Sequence, residues 1–156
     1  MTAGTEKIQR GEVMSFRVQK EIRWEAAHRL IKGYSGKCQF LHGHSWVARI
    51  TVELRPGQEL DAAGLAKDFG EFKAVQQWVE EHWDHGALVA QDDRAWLTWL
   101  RENGQKHFVF PDNPTSERIA ETLFCVAAEL LNDERCRVCR VVVSETPANE
   151  AVYEGK

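Results

Sequence analysis

Only four cysteines occur in the 156-residue chain, Cys38, Cys125, Cys136 and Cys139. So few thiols in a chain this long do not make a disulfide framework, and they are read as reduced. No apolar run approaches the roughly 20 residues of a membrane-spanning helix. The opening stretch "MTAGTEKIQRGEVMS" lacks the apolar centre of a secretory signal. It reads as a polar, flexible tail over residues 1–15, and the cytoplasm is the expected compartment. Internal repeats, low-complexity tracts and linkers are also missing, which leaves a single domain over residues 16–156. The formal net charge is −4, with no block of like charge. That excludes the basic footprint of a nucleic-acid binder. An anionic small molecule is still admissible, because a local field can oppose the net charge.

What the chain does contain is strong patterning. Apolar residues make up 43% and charged residues 28% of the sequence, the balance of a globular domain with its own core. In "FRVQKEIRWEAAHRL", Phe16, Val18, Ile22, Trp24, Ala26 and His28 share one parity. In "HGHSWVARITVEL", His42, His44, Trp46, Ala48, Ile50, Val52 and Leu54 do the same. Both read as half-buried antiparallel strands. "DFGEFKAVQQWVEEHWDH" switches to helical period, with Asp68 and Glu71 placed as a capping box. "DRAWLTWLREN" reads as a short helix and "KHFVFP" as an extended piece. "NPTSERIAETLFCVAAELL" reads as a long helix with its stripe on Ile119, Leu123, Val126 and Leu130. Val-rich "CRVCRVVVSET" is a third strong strand, and "AVYEG" an edge strand. The order implies an α+β fold, an antiparallel sheet with helices on one face.

Three histidines then stand out. Residues two apart on a strand project to one face, so His42 and His44 point together. His28 ends the preceding strand with matching parity. Three neutral imidazoles with an open fourth position suit catalytic zinc. A lone histidine would be an ordinary core or surface residue; an H-x-H with a parity-matched third points to metal. Cys38 lies four residues before His42 in a glycine-flanked loop, after Lys37. It is open to four readings: metal ligand, nucleophile, general base or inert thiol. In "WDHG", Asp84 and His85 put an acid and an imidazole on one loop; a polar helix end is the bland alternative. Glu145 shares parity with Val141 and Val143 and either grips a planar ligand or is a strand-end charge. Cys125, Cys136 and Cys139 read as structural, and His82 and His107 carry no functional reading.

Taken in order, "AAHRL", "CQFLHGHS", "DFGEFK", "WDHG", "NPTSE" and "SETP" resemble the 6-pyruvoyl-tetrahydropterin synthase superfamily over about residues 16–155. The resemblance is nearest to its bacterial branch, 6-carboxy-tetrahydropterin synthase of queuosine biosynthesis. Three residues separate Cys38 from His42, the spacing of that carboxy-forming branch; the pyruvoyl-forming branch has five. The resemblance implies the tunnelling fold, a four-stranded antiparallel sheet with two helices on one face. Subunits would close into a β-barrel with active sites between neighbouring chains. It implies zinc on His28, His42 and His44, Cys38 as base, and Asp84 with His85 as an acid–imidazole relay. Glu145 would grip the pterin ring and join the relay, and Thr115 and Ser116 would line the pterin pocket.

The implied reaction converts 7,8-dihydroneopterin triphosphate to 6-carboxy-tetrahydropterin, acetaldehyde and triphosphate. Two other functions stay open: a pyruvoyl-forming, triphosphate-eliminating lyase, and a pterin- or zinc-binding protein without catalysis. Arg29, Lys32 and Lys37 lie near the metal motifs in sequence, where they could attract the triphosphate. Residues 89–112 are an insertion relative to the shortest members, at a place where it could reshape the rim of the pocket.

Overall fold

A computed structural model of the chain describes residues 15–155. Nearly all of the expected polar tail, residues 1–14, lies outside the described residues. Strands β1 (Arg17–His28) and β2 (His42–Leu54) form the central antiparallel pair. Their register sets Trp24 against Trp46, Ala26 against His44 and His28 against His42. The alternation in both segments explains the pairing. Ile22, Trp24, Ala26, Trp46, Ala48 and Ile50 fall on one face and are buried there, whereas Glu21, Arg23, Glu25 and Ser45 take the other.

Helix α1 (Lys73–His82) comes after a short 3-10 turn at Phe69–Phe72. The helix is thus shorter than the apolar pattern suggests. Asp68 does cap this turn, accepting from the Gly70 amide at 2.7 Å. Glu71, however, pairs with Lys67 at 2.7 Å, so the capping box closes on one side only. Phe69 stays exposed, while Phe72, Val75 and Val79 enter the core. Two further helices are α2 (Arg94–Glu102) and α3 (Ser116–Leu131). Helix α3 begins at Thr115, whose hydroxyl accepts from the Arg118 amide. Its buried stripe is Ile119, Leu123, Ala127 and Leu131. Leu130 is exposed, because a strict four-residue step selects Leu131 instead.

The sheet departs from the expected four antiparallel strands. Its other strands are β3 (Gly86–Ala90), β4 (His107–Phe110), β5 (Cys136–Thr146) and β6 (Asn149–Glu154). The six lie in the order β4-β3-β1-β2-β5-β6. Strands β1, β2, β5 and β6 are antiparallel neighbours. To them the stretch after α1 adds β3, α2 and β4. Both added strands run parallel to their neighbours. Most of the insertion is therefore a β-α-β unit, docked on β1 only at Ala26–His28. "GALVA" is a short, wholly apolar strand without alternation, and for that reason carries no period-2 signal. Leu88 faces the main core with α1 and α3, whereas Ala87 and Val89 pack against Leu97 and Leu100 of α2. By strand alternation α2 covers the opposite face, so the three α-helices among the described residues do not share one side.

One irregularity in β5 aims a functional side chain. Between Thr51 and Val52 the register to β5 skips Cys139. This bulge flips the parity of the residues beyond it. Val138 faces the core before it, and Val141 and Val143 face the core after it. Glu145 continues that parity and meets the histidine face of β2.

Candidate metal centre and active site

Four side chains converge where β1, β2 and β5 meet. One donor atom each from His28, His42, His44 and Glu145 lies within 4.8 Å of the others. The ring centroid of His28 is 4.6 Å from that of His42 and 5.1 Å from that of His44. Trp46 forms the floor, edge-on to His28 and His44 at 5.0 and 5.1 Å, and its indole donates to the Ala26 carbonyl. Below it, Trp24 stacks at 6.0 Å. The group thus sits on an apolar aromatic layer that keeps water from one side.

Main-chain hydrogen bonds fix the neutral tautomers of His28 and His42. Nδ1 of His28 donates to the Pro114 carbonyl at 2.8 Å. Nδ1 of His42 donates to the Phe40 carbonyl at 2.7 Å. Each neutral ring then turns an unprotonated Nε2 toward the group. Those two Nε2 atoms are 3.1 Å apart, and Glu145 Oε1 lies 3.1 Å from His28 Nε2. Lone pairs face lone pairs. His44 Nε2 is buried without a hydrogen-bond partner; Glu145 Oε1 approaches it to 3.0 Å but not along a hydrogen-bonding direction. A cation held by the three imidazoles would relieve these approaches, with the Glu145 carboxylate beside it, so the residues fit a metal ion. Burial holds the His28 and His44 imidazoles below the usual 6.5, only partly offset by the Pro114 bond and by the Glu145 carboxylate. Both therefore stay neutral near pH 7, the form that a metal requires.

The other sequence-derived residues lie outside this group of four. Cys38 is half-buried in a 3-10 turn at Lys37–Gln39, and its carbonyl accepts from the Leu30 amide at 2.8 Å. Tyr34, which has no motif to mark it in the sequence, lies beside it. Hydrogen bonding to the Cys38 side chain pushes the Tyr34 phenol above its ordinary 10.0. A β-carbon at Gly36 would meet the Tyr34 hydroxyl, so a larger residue there would displace the exposed tyrosine ring.

Asp84 and His85 do form a pair, with His85 Nδ1 donating to Asp84 Oδ2 at 2.8 Å. Burial opposes the Asp84 charge, but bonds from the Glu25 amide and from His85 outweigh it and hold the carboxyl low. His85 has φ 55 and is the only non-glycine residue with positive φ among the described residues, a strain often kept for function. The pair is not joined to the histidine group. It lies along β1 at Glu25, whose carbonyl accepts the His85 amide at 2.7 Å. Its imidazole is 77% exposed. It borders a cleft of about 430 Å3 with Glu25, Ala27, Gly43 and Ser45, residues of opposite parity to the three histidines, although Ala26 and His44 also reach this cleft.

Thr115 caps α3 and Ser116 begins it; neither belongs to the group of four. Arg29 is committed elsewhere. Its guanidinium donates twice to the buried Asp93, at 2.6 Å each, and lies over Trp96. Lys32 faces Asp92 and Asp112 at 3.8 and 3.6 Å.

With this geometry in hand, the family match decides the kinship. Residues 17–156 match the family model described as 6-pyruvoyl tetrahydropterin synthase. The chain belongs to that family. Among curated family relatives, 6-carboxy-5,6,7,8-tetrahydropterin synthase of Rickettsia bellii is 34% identical, over 82% of this chain and 92% of its own. The enzyme of the same name from Bacillus subtilis is 32% identical, over 91% and 87%. The family fold is also met in a crystal structure of an uncharacterized protein from Wolinella succinogenes. It has a TM-score of 0.80 and 20% identity, and covers 92% of this chain and 99% of that one. No helix among the described residues is long and apolar enough to cross a membrane.

Proposed function

We propose that the protein is a zinc-dependent carbon–carbon lyase. With one water, it would convert 7,8-dihydroneopterin triphosphate to 6-carboxy-tetrahydropterin, acetaldehyde and triphosphate, in the cytoplasm, as a step of queuosine biosynthesis. The observation that carries the reading is the group of His28, His42 and His44, with two bare Nε2 atoms facing each other, in a chain whose relatives bear the carboxy-synthase name. His28, His42 and His44 would hold the ion, and a borderline metal with three imidazole donors fits zinc. Once bound, zinc supplies Lewis-acid polarisation of the substrate's side-chain hydroxyls.

The chain's own residues would do the rest. Cys38 takes the carbon-bound proton next to the ring. Glu145 holds the pterin by its ring N–H groups, within reach of the metal-binding face. Trp46 keeps bulk water from beneath the site. His85, oriented by Asp84, moves protons on the far side of the substrate, and Thr115 and Ser116 flank the ring. Because Asp84 and His85 stand apart from the histidine group within one chain, a neighbouring subunit would supply them. The protein would therefore act as a homo-oligomer. The test is product analysis by mass spectrometry on dihydroneopterin triphosphate. Carboxy-tetrahydropterin with equimolar acetaldehyde supports the reading. A pyruvoyl product, or no turnover by the zinc-loaded oligomer, overturns it.

A further inference from the structure

The loop between β1 and β2 carries Cys38, yet little holds it. Within residues 31–40 the backbone bonds mostly to the loop itself: Gln39 N to Gly36 O, Phe40 N to Lys37 O, and the Gln39 side chain to Ser35 O. Asn113 reaches this loop from more than 80 residues along the chain. Its Oδ1 accepts the amides of Ile31 at 2.9 Å and Lys32 at 3.1 Å. Its Nδ2 donates to the Lys32 carbonyl at 2.7 Å. The amide orientation is unambiguous, since only this one satisfies two donors and one acceptor together. One residue before Ile31, the Leu30 amide closes on the Cys38 carbonyl.

The neighbour of Asn113 does a second job. Pro114 contributes the carbonyl that holds the His28 ring, and Asn113 and Thr115 are locked to each other by a 2.8 Å turn bond at the start of α3. One short segment thus grips the metal-binding face on one side and the thiol-bearing loop on the other. We propose that Asn113 is a positioning residue: its three-bond clamp fixes the Cys38 thiol relative to the histidine group. The inference rests on the role given to Cys38 above. Chemistry of this kind is sensitive to placement, and a shift of about 1 Å costs on the order of 100-fold in rate.

Two variants test it. Asn113→Asp keeps the shape and both acceptor contacts but sets an oxygen against the Lys32 carbonyl; Asn113→Ala removes all three bonds. Steady-state kinetics, metal content and site-resolved amide exchange are read on the zinc-loaded protein. The expected result is a kcat about 10-fold lower for Asn113→Asp and about 100-fold lower for Asn113→Ala. KM and zinc per chain should stay near the parent values. In Asn113→Ala the Ile31 and Lys32 amides should exchange faster while those of β1 do not. Unchanged kcat, a loss that tracks zinc content, or a rise in KM at constant kcat would each overturn the proposal. If Asn113→Ala fails to fold, Asn113→Asp decides by the same criteria. Product analysis of the parent protein judges the lyase reading separately. Amide exchange needs no substrate: unaltered protection of Ile31 and Lys32 in Asn113→Ala refutes the clamp whatever the reaction is.

Discussion

Nε2 of His28 and Nε2 of His42 face each other at 3.1 Å, with both Nδ1 protons already given to main-chain carbonyls. Two acceptors at this distance are stable together only if one ring is protonated or a cation lies between them. Burial works against protonation of His28. A cation held between them satisfies both lone pairs at once, and the third imidazole completes its donor set with the Glu145 carboxylate beside it.

The first prediction concerns that ion. Elemental analysis should find about one zinc per chain, the stoichiometry of a single three-imidazole site. His44→Ala should lose most of it. Glu145→Gln should keep the metal and raise KM, because three imidazoles suffice and the fourth position belongs to substrate. Zinc retained in His44→Ala refutes the ligand set. Zinc lost from Glu145→Gln would make the carboxylate a ligand rather than a pterin grip.

Alternation alone made this group visible in the sequence, since β1 and β2 are long, one-sided strands and the three histidines keep the parity of their apolar residues. Glu145 was legible because its count from Val141 starts after the bulge at Cys139; a count from Cys136 gives the wrong face. The bulge itself leaves no mark in composition. Strand β3 was illegible for another reason: five residues without a polar one, buried on both sides, do not alternate. The clamp of Asn113 joins residues more than 80 apart in sequence, and non-local bonds have no local signature. The position of His85 depends on the same kind of contact, its pairing along Glu25.

A second prediction concerns acid stability. Glu53 is buried between Arg17 and Arg137, with bonds at 3.0 Å to each. Desolvation raises its pKa, but the two guanidiniums outweigh it and hold the carboxyl below its ordinary 4.5. A depressed carboxyl stabilises the fold above the unfolded-state value and loses that contribution as pH falls through the folded value. Glu53→Gln should cost about 1–2 kcal/mol near neutral pH, discounted for the exposed arginines. By urea unfolding, the gap between parent and variant should narrow from about pH 5 downward, through the unfolded and then the folded value. A gap that stays constant down to about pH 3 contradicts the argument.

A third prediction concerns the thiol. A permanent thiolate ligand would close the position that substrate needs, so Cys38 is expected to act as base. Cys38→Ala should keep its zinc and melting temperature and lose about 10²–10⁴-fold in turnover. Iodoacetamide should label Cys38 well before Cys136 and Cys139, which are buried and whose thiols burial pushes up. Zinc loss from Cys38→Ala, or near-parental turnover with zinc present, excludes the role.

The last prediction rests on the separation of Asp84 and His85 from the histidine group. The His85 ring bonds to Asp84, is 77% exposed, and lies beside Glu25 on the edge of β1 away from β2. If one chain supplied both halves of the catalytic apparatus, His85 would serve its own Cys38 and histidine group through the cleft it shares with His44. If neighbouring chains share a site, each contributes one half. The two arrangements respond differently to mixing. Cys38→Ala and His85→Ala should each be inactive alone, by removal of one proton carrier. Unfolded together and reassembled in equal amounts, they should recover about a quarter of parental activity, since random pairing across a symmetric interface leaves that share of sites with both residues intact. Size-exclusion with light scattering should show the active fraction as an oligomer. No recovery from a properly reassembled mixture, or full activity in a monomer, would place both halves of the site within a single chain.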